Sequence, residues 1–311
     1  MEITAKDVGK LRDITGAGMM ACKKALMATN GDMDKACEYL REQGVSIVAK
    51  KASRIAAEGA VWSSISADKT TGALVEINCE SDFVAKSDVF VALCNTVAKA
   101  AADNKCDDIE KLKAVKTKEG TVEELVTAAT AKTGEKISLR RAAIQSAKNA
   151  IEEAYIHMGG KMGTLVEISV EGRTDANTAD IVTMAHDIAM HIAAFRPRYI
   201  RQDEVPADVV EHEREIIHQQ LKNDEKNAKK PEQVLVKIAE GKLGTFFKEN
   251  CLLYQAFAKD PSITIEQLVA ATAKKTGAKL DIVRFTEFVM GEGIEKRTDN
   301  LAEEVAKLSG K

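Results

Sequence analysis

The sequence is poor in aromatic residues and prolines, and it contains no long apolar run. Phe, Trp and Tyr make up 4% of the 311 residues, and only 4 residues are proline. So low an aromatic content disfavours a thick β-sandwich and favours helices packed through small side chains. No stretch has the roughly eighteen apolar residues of a membrane-spanning helix, and the start MEITAKDVGK lacks the apolar segment of a secretory signal. We therefore expect a helix-rich protein that acts in the cytoplasm and does not enter a membrane.

The charges are balanced along the chain. There are 45 Lys and Arg residues against 48 Asp and Glu residues, which gives a net charge of -3, and no long block of one sign occurs. A protein that binds nucleic acid through its phosphates needs a basic stripe. The most basic stretch, VAKKASR at 48–54, is typical of a solvated linker. We therefore expect no direct binding of nucleic acid.

The sequence also lacks the local motifs of a catalytic or metal site. Its 6 cysteines form no CxxC pair and are expected to be free, mostly buried thiols in a reducing compartment. No GxxxxGK[ST] phosphate loop is present, and GGKMGT is interpreted as a hairpin turn. His186 and His191 do not share a helix face as a metal-binding pair would. We expect no metal, no cofactor and no bond chemistry.

What the sequence does contain is two internal repeats. ALVEINCESDFVAKSDVF, which begins at residue 73, aligns without gaps on TLVEISVEGRTDANTADI from residue 164. A second pair, TVEELVTAATAKTGEKI from 121 and TIEQLVAATAKKTGAKL from 264, is closer still. The first pair is offset by 91 residues and the second by 143, so the second copy contains about 52 additional residues. The duplication predicts two related subdomains that follow each other.

Each repeat has the pattern of a strand hairpin, a helix, a shorter helix and a closing strand. In the first unit GAVWSSIS and ALVEIN predict a hairpin with one mostly apolar face, and Ser87 is placed to cap the helix that follows. The short helices have capping-box pairs and end at glycines, namely Thr121 with Glu124 and Gly134, and Thr264 with Gln267 and Gly277. KISLRRAAI and LDIVRFTEFV close two antiparallel sheets. The predicted fold class is therefore α+β.

The additional residues predict a helical hairpin inserted into the second subdomain. PADVVEHEREIIHQQLK and the segment that starts at Pro231 have helical apolar spacing on either side of a polar turn. Antiparallel helices of this length should protrude from the subdomain. The domains are predicted as a head at 1–45, a linker at 46–58, a first subdomain at 59–150, a second at 151–203 and 259–290, the hairpin at 204–258 and a carboxy-terminal module at 291–311.

The amino-terminal residues predict a separate three-helix head. Thr4 with Asp7 starts a helix that contains Val8, Leu11 and Ile14, and the third helix is expected to start after Asp32 and to end at Gly44. A module of under fifty residues has a marginal core, so it suits recognition better than catalysis. At the other end, TDNLAEEVAKLS predicts one more amphipathic helix.

One corner of the first repeat has no counterpart in the second. Ser81-Asp82-Phe83-Val84 aligns with Gly172-Arg173-Thr174-Asp175, although strand and helix are retained on either side. The repeat fold therefore does not need this acid and aromatic. Two interpretations stay open: Ser81 or Asp82 caps a helical turn with Phe83 in the core, or the corner presents Phe83 to an apolar seam of a partner, because aromatic anchors dominate interface energetics.

Several longer motifs resemble the bacterial elongation factor Ts family. They are VGKLRDITGAGMMACKKAL, NCESDFVAK, YIHMGGKMGTLVEI, AMHIAAFRPRYI and RFTEFVMGEGIEK, and the resemblance extends in order over nearly the whole chain. It implies a ubiquitin-associated-like head, a core of two related subdomains, a coiled-coil hairpin and a carboxy-terminal module.

The resemblance further implies a guanine-nucleotide exchange factor for the GTPase elongation factor Tu. The family's usual Thr-Asp-Phe-Val motif is Ser81-Asp82-Phe83-Val84 here, and Ser81 keeps the capping hydroxyl. By this resemblance Phe83, with Asp82 alongside, would insert between helices of the GTPase and disturb its phosphate loop and Mg²⁺ coordination. GDP would then be released and GTP could bind.

Further partner contacts are implied by the same resemblance. Leu11, Arg12, Met19 and Met20 in the head would contact the GTPase domain, His157 would touch a neighbouring helix, and the carboxy-terminal helix would add another contact.

Three other functions are compatible with parts of the sequence. The chain could act as an adaptor that binds only through its head, or as a thiol enzyme that uses Cys79 beside the corner. A third alternative is a nucleic-acid-binding translation protein, although the near-neutral net charge speaks against it. Formation of a homodimer through the hairpin or the core is left open by the sequence.

Overall fold

A computed structural model describes residues 3–15, 17, 19–51, 53–224, 226–227 and 230–295. The head consists of α1 (Ala5–Thr15), α2 (Met19–Ala28) and α3 (Met33–Lys51). As predicted, Thr4 and Asp32 start helices: the Thr4 backbone N–H donates to Asp7 Oδ2 at 3.1 Å, and Asp32 Oδ1 accepts from the Lys35 N–H at 3.1 Å. The predicted carboxy-terminal helix at 298–309 lies outside the described residues.

The first subdomain is a three-stranded antiparallel sheet with helices on one face. Its elements are β1 (Glu58–Ile65), β2 (Thr71–Cys79), α4 (Asp82–Ala85), α5 (Asp88–Asn104), α6 (Ile109–Ala114), β3 (Lys116–Thr117), β4 (Gly120–Thr121), α7 (Val122–Thr133) and β5 (Ser138–Ser146). The sheet order is β1-β2-β5. Ser87 caps α5, the Thr121–Glu124 capping box opens α7, and Gly134 ends α7 at a φ of 76°, so these predictions are confirmed.

The second subdomain repeats this plan with an insertion. Its elements are β6 (Ala150–His157), β7 (Met162–Glu171), α8 (Asp175–Phe195), α9 (Ala207–Asn223), α10 (Glu232–Asn250), β8 (Ala256–Phe257), β9 (Asp260–Thr264), α11 (Ile265–Thr276) and β10 (Lys279–Val289). The sheet order is β10-β7-β6, so the hairpin strand β7 lies in the middle as β2 does. The predicted Thr264–Gln267 capping box and the Gly277 helix end are both present.

The two sheets pack against each other, and each has helices on its other face. The odd-numbered residues of β2, such as Val75 and Ile77, face α5, whereas Leu74 joins Leu165 and Phe288 in the core between the sheets. Every residue of β2 is buried. The prediction of one mostly apolar face is confirmed: Ala73, Val75, Ile77 and Cys79 lie on the side of α5, whereas the opposite face, which the second sheet covers, also contains Glu76 and Asn78.

The inserted hairpin leaves and rejoins the second subdomain at one point. The Arg198 N–H donates to the Asn250 carbonyl and the Leu252 N–H donates to the Tyr199 carbonyl, both at 2.9 Å. The 17 residues of α9 give a helix of about 25 Å, as predicted. The predicted end at residue 258 is too late, because Leu252 and Phe257 already belong to the core of the second subdomain.

Two predictions about the head are wrong. Helix α3 does not end at Gly44 but continues to Lys51, because it packs on α7, where a Cβ at Gly44 would lie 3.2 Å from Thr127 Cγ2. Gly44 therefore permits a close helix approach and is not a helix end. Ile14, expected in the apolar stripe of α1, is exposed, while Val8 and Leu11 are buried.

Within the described residues, no helix has the length and apolar content needed to cross a membrane.

Candidate functional site

The corner between β2 and α5 is a separate turn of helix. Ser81 has an extended backbone, with φ of -128° and ψ of 155°, and its hydroxyl accepts the Val84 N–H at 3.3 Å. This cap opens the four-residue helix α4, whose C-cap is Lys86, and Ser87 then caps α5. Two caps within seven residues thus fix a short helical turn between a buried strand and a buried helix. We call Ser81, Asp82, Phe83 and Val84 the Phe83 corner.

The Phe83 side chain points out of this corner. It is 82% exposed, whereas Val84 is partly buried against the core of the first subdomain. The interpretation with Phe83 in the core is therefore wrong, although its other half, Ser81 as the cap of a helical turn, is confirmed. Burial of a phenylalanine side chain stabilises a protein by roughly 1.5–3 kcal/mol, and the exposed Phe83 does not contribute this free energy to the fold.

Asp82 is a charged neighbour of the exposed ring. Its Oδ2 accepts a hydrogen bond from Lys86 Nζ at 2.7 Å, one helical turn further on. This bond lowers the pKa of the Asp82 carboxyl, and the more distant charge of Lys161 lowers it further. The corner therefore presents a ring and an ionised carboxylate side by side at neutral pH.

The turn between β6 and β7 lies beside this end of the first sheet. The Val61 N–H of β1 donates to the Gly160 carbonyl at 2.8 Å, and a Cβ at Gly160 would lie 2.6 Å from that of Ala60. Within the turn Met158 is 74% exposed and adopts a φ of 47°. The turn predicted from GGKMGT is thus confirmed, and its tip is a second exposed apolar residue that the sequence analysis did not single out.

His157 stands at the start of the same turn. It is exposed, and its Nδ1 lies 3.0 Å from the Tyr155 hydroxyl. The turn that follows His157 packs on β1 through Gly160, and β1 is the strand that pairs with β2.

The predicted contact residues of the head differ in exposure. Met19 is 43% exposed and Met20 is 78% exposed, and Arg12 is exposed as well. Leu11, in contrast, is fully buried between the helices of the head. Leu11 therefore builds the head and offers no surface to a partner. Ile14 and Met27 are exposed apolar residues of the head that the sequence analysis did not select.

Cys79 lies at the end of β2 just before the corner, and it is fully buried. Burial raises the pKa of its thiol to about 12, and the thiol donates a hydrogen bond to the Ser81 carbonyl at 3.1 Å. A thiol that is neither exposed nor ionised is a poor nucleophile. The geometry does not support the hypothesis of a thiol enzyme.

The described residues contain no cluster of three or more His, Cys, Asp or Glu side chains placed to hold a metal ion. His191, one of the histidines considered above, is buried, and its Nε2 lies 2.9 Å from Gln255 Oε1. The Ala258 N–H donates to its Nδ1 at 3.2 Å, so both ring nitrogens have partners within the protein. His191 therefore has a packing role.

Comparison with known proteins finds similar chains over nearly the whole length. The family model "Elongation factor TS" matches residues 80–292. The protein named Elongation factor Ts from Clostridium perfringens (strain SM101 / Type A) is 43% identical over 310 residues, which cover 99% of this chain and 100% of the relative. The protein of that name from Clostridioides difficile (strain 630) is 44% identical over 306 residues, 98% of each chain.

These matches place the molecule in the class of translation elongation factors, α+β proteins that act in protein biosynthesis. Within that class, the chain belongs to the elongation factor Ts family.

Proposed function

We propose that this chain is a guanine-nucleotide exchange factor that binds elongation factor Tu and accelerates its release of GDP during translation elongation. The chain performs no bond chemistry in this reaction, which we place in the cytoplasm. The observation that carries the proposal is Phe83, a ring that is 82% exposed on a helical turn capped by Ser81. Membership of the elongation factor Ts family supports the choice of partner.

Phe83 acts as the apolar anchor of the complex. Transfer of an exposed phenyl ring into an apolar seam between two helices of the GTPase contributes about 1.5–3 kcal/mol. Aromatic side chains at the centre of an interface commonly supply a large share of the binding energy. Because the turn is already folded in the free chain, little conformational entropy is lost when the ring enters.

The ring and the carboxylate together weaken GDP binding. Insertion of Phe83 displaces helices next to the nucleotide site, and the phosphate loop and Mg²⁺ coordination of the GTPase are disturbed. Mg²⁺ is held by few protein oxygens and by the nucleotide phosphates, so a small shift removes contacts on both sides. By linkage, GDP weakens binding of the factor to the same degree as the factor weakens binding of GDP.

Other exposed residues extend the proposed contact. Arg12, Met19 and Met20 of the head and His157 of the β6–β7 turn meet the GTPase outside the nucleotide site, and the carboxy-terminal module predicted at 291–311 adds a further contact. Leu11 contributes indirectly, because it holds the helices of the head together.

The test is stopped-flow release of a fluorescent GDP from bacterial elongation factor Tu. We expect the intact chain to accelerate release and Phe83→Ala to reduce that acceleration at least tenfold, or about 1.4 kcal/mol of barrier lowering. Phe195→Ala is a matched control, because Phe195 is also an exposed phenylalanine but lies outside the corner. No acceleration by the intact chain overturns the proposed function, whereas equal acceleration by Phe83→Ala removes the role of the ring.

A further inference from the structure

The loop that follows α7 is bonded to the Phe83 corner. The Ser81 N–H donates to Glu135 Oε2 at 2.9 Å, and the Ser81 hydroxyl donates to Glu135 Oε1 at 2.6 Å. In return, the Lys136 N–H donates to Glu80 Oε1 at 2.6 Å. Each segment thus supplies a carboxylate that accepts from the backbone of the other. We call Glu80, Ser81, Glu135 and Lys136 the corner clasp.

Glu135 is held in place by the end of α7. Gly134 leaves the helix in the left-handed region at a φ of 76°, and its N–H donates to the Thr130 carbonyl. The Glu135 N–H then donates to Thr133 Oγ1 at 3.3 Å, and Ile137 is anchored in the core. Since both sides of Glu135 are fixed, its carboxylate is aimed at Ser81 by a rigid element.

The clasp controls the cap of the helical turn that holds Phe83. The Ser81 hydroxyl has a single proton, which it donates to Glu135, and this leaves its lone pairs to accept the Val84 N–H. A bond to an ionised acceptor is shorter and stronger than a neutral one. Glu135 therefore fixes the rotation of the hydroxyl, and the hydroxyl fixes the first turn of α4.

The second subdomain provides an internal comparison. At the equivalent positions Gly172 replaces Ser81 and Ala278 replaces Glu135, and these two residues are again neighbours, because a Cβ at Gly172 would lie 3.8 Å from Ala278 Cα. The other half of the clasp keeps its residue types: Lys279 Nζ donates to Glu171 Oε1 at 3.1 Å. The second subdomain thus lacks counterparts of both Ser81 and Glu135, and it also lacks a counterpart of the exposed Phe83.

From these observations we infer that Glu135 is a positioning residue for nucleotide exchange, one that sets the orientation in which Phe83 enters the partner. The inference rests on the proposed function. It also explains why serine is sufficient at position 81. The clasp uses the hydroxyl and the backbone N–H, and neither bond needs a γ-methyl group.

The test uses Glu135→Gln in the stopped-flow GDP release assay. Glutamine keeps the size of the side chain, but its amide NH₂ cannot accept from the Ser81 N–H or hydroxyl, so one charge-assisted bond to a carboxylate oxygen is lost. We expect the maximal release rate at saturating factor to fall about fivefold to tenfold, the order expected for loss of one charge-assisted bond. The concentration that gives half-maximal acceleration should change less than twofold. The matched control is Glu171→Gln in the second subdomain, which should leave the release rate within twofold.

A double-mutant cycle separates positioning from a general effect on folding. If Glu135 acts through the ring, Glu135→Gln has no further effect in a Phe83→Ala background. Equal losses in both backgrounds would overturn the inference. Glu135→Asp keeps the charge but shortens the reach, so it should also slow release, and full activity of this variant would overturn the positional role.

The outcomes for the two proposals are distinct. If the intact chain fails to accelerate release, the proposed function falls and the role of Glu135 falls with it. If the intact chain accelerates release and Glu135→Gln does so equally, only the role of Glu135 is refuted. Thermal unfolding of each variant checks that the folded protein is being compared.

Discussion

The two subdomains turn from strand to helix in different ways. In the first, Ser81 is extended at a φ of -128°, a four-residue helix follows, and Ser87 then caps α5. In the second, Gly172 adopts a φ of 86°, and Thr174 opens the single 21-residue helix α8 with a capping box. Phe83 and Thr174 occupy the same position of the repeat alignment, yet Phe83 of the first subdomain is an exposed ring and Thr174 of the second caps a helix.

Around this difference the repeats agree closely. Val61 pairs with Glu76 in the first sheet, and the equivalent Glu152 pairs with Glu167 in the second. Arg141 binds Glu76 at 2.5 Å, and Arg284, its equivalent, binds Glu167 at 2.8 Å. Sheet register and helix packing are therefore retained in both copies, while the corner between strand and helix differs.

The largest effect is expected where the repeats agree most. Phe90 and its equivalent Ile181 are both fully buried. Truncation should lower the free energy of unfolding by about 3–5 kcal/mol for Phe90→Ala and about 2–5 kcal/mol for Ile181→Ala, because each leaves a cavity. Urea unfolding measures both. The control is Phe83→Ala, which should cost less than about 0.5 kcal/mol. A loss as large as that of Phe90→Ala would mean that Phe83 is buried in solution.

The next largest effect is expected at Glu152, a buried acid of the second sheet that the first sheet lacks. Glu152 is fully buried where the first sheet has Val61, and burial and the neighbouring Glu167 raise its pKa above the ordinary 4.5. A raised folded-state pKa means that the stability contributed by the protonated carboxyl is complete below pH 4.5 and is lost as the pH rises towards the raised value.

We therefore expect the free energy of unfolding to fall between pH 5 and pH 8 by on the order of 2 kcal/mol more in the intact chain than in Glu152→Gln. Urea unfolding at the two pH values provides the measurement. Glu76→Gln is the contrasting variant. Burial raises the pKa of Glu76, but bonds from the Gly291 N–H, Arg140 and Arg141 outweigh it and keep the carboxylate ionised. That variant should destabilise at both pH values. Parallel pH curves for the intact chain and Glu152→Gln would contradict the prediction.

A third prediction concerns the equivalent positions Phe83 and Thr174: truncation should affect GDP release at the first and stability at the second. Thr174→Ala removes a helix cap and should cost about 1 kcal/mol of stability while leaving GDP release unchanged. Phe83→Ala should do the reverse, with near-native stability and at least tenfold slower release. Stopped-flow release and urea unfolding on the same two preparations give the result. If both variants affected the same property, the division between a structural and a binding corner would be wrong.

The smallest effect is expected at Cys79. Its equivalent in the second subdomain is the buried Val170. Since the thiol is buried and burial raises its pKa to about 12, Cys79→Ser should leave GDP release within about twofold. Cys79→Val, which matches the second subdomain at this position, controls for the polarity of serine. A large loss of release by both variants, with the fold intact, would revive the hypothesis of a thiol enzyme.

Features that depend on neighbours in the sequence were predicted well. Ser87, Thr121 and Thr264 were identified as helix caps, and Gly134 and Gly277 as helix ends, because a cap needs only a side chain and backbone groups two or three residues away. The strands of the sheets were predicted from hydrophobic alternation, and the internal repeat provided a second copy of each strand pattern.

Features that depend on distant segments were not predicted. The sequence around Gly44 predicts a helix end, but the residue lies where α3 packs against α7. Ile14 fits the apolar stripe of α1, but its side chain is exposed. Glu135 lies 54 residues from Ser81, so no local pattern marked it as a partner of the corner.

The sequence by itself determined the α+β class, the two repeats, the inserted hairpin and the corner at which the repeats differ, because caps and periodicity act over a few residues and a duplication is visible in the order of the letters. Only the tertiary structure decided that Phe83 faces solvent, that Leu11 does not, and that Glu135 holds the corner. Burial and long-range hydrogen bonds depend on which surfaces meet, and that is fixed when the sheets, the helices and the loop after α7 pack together.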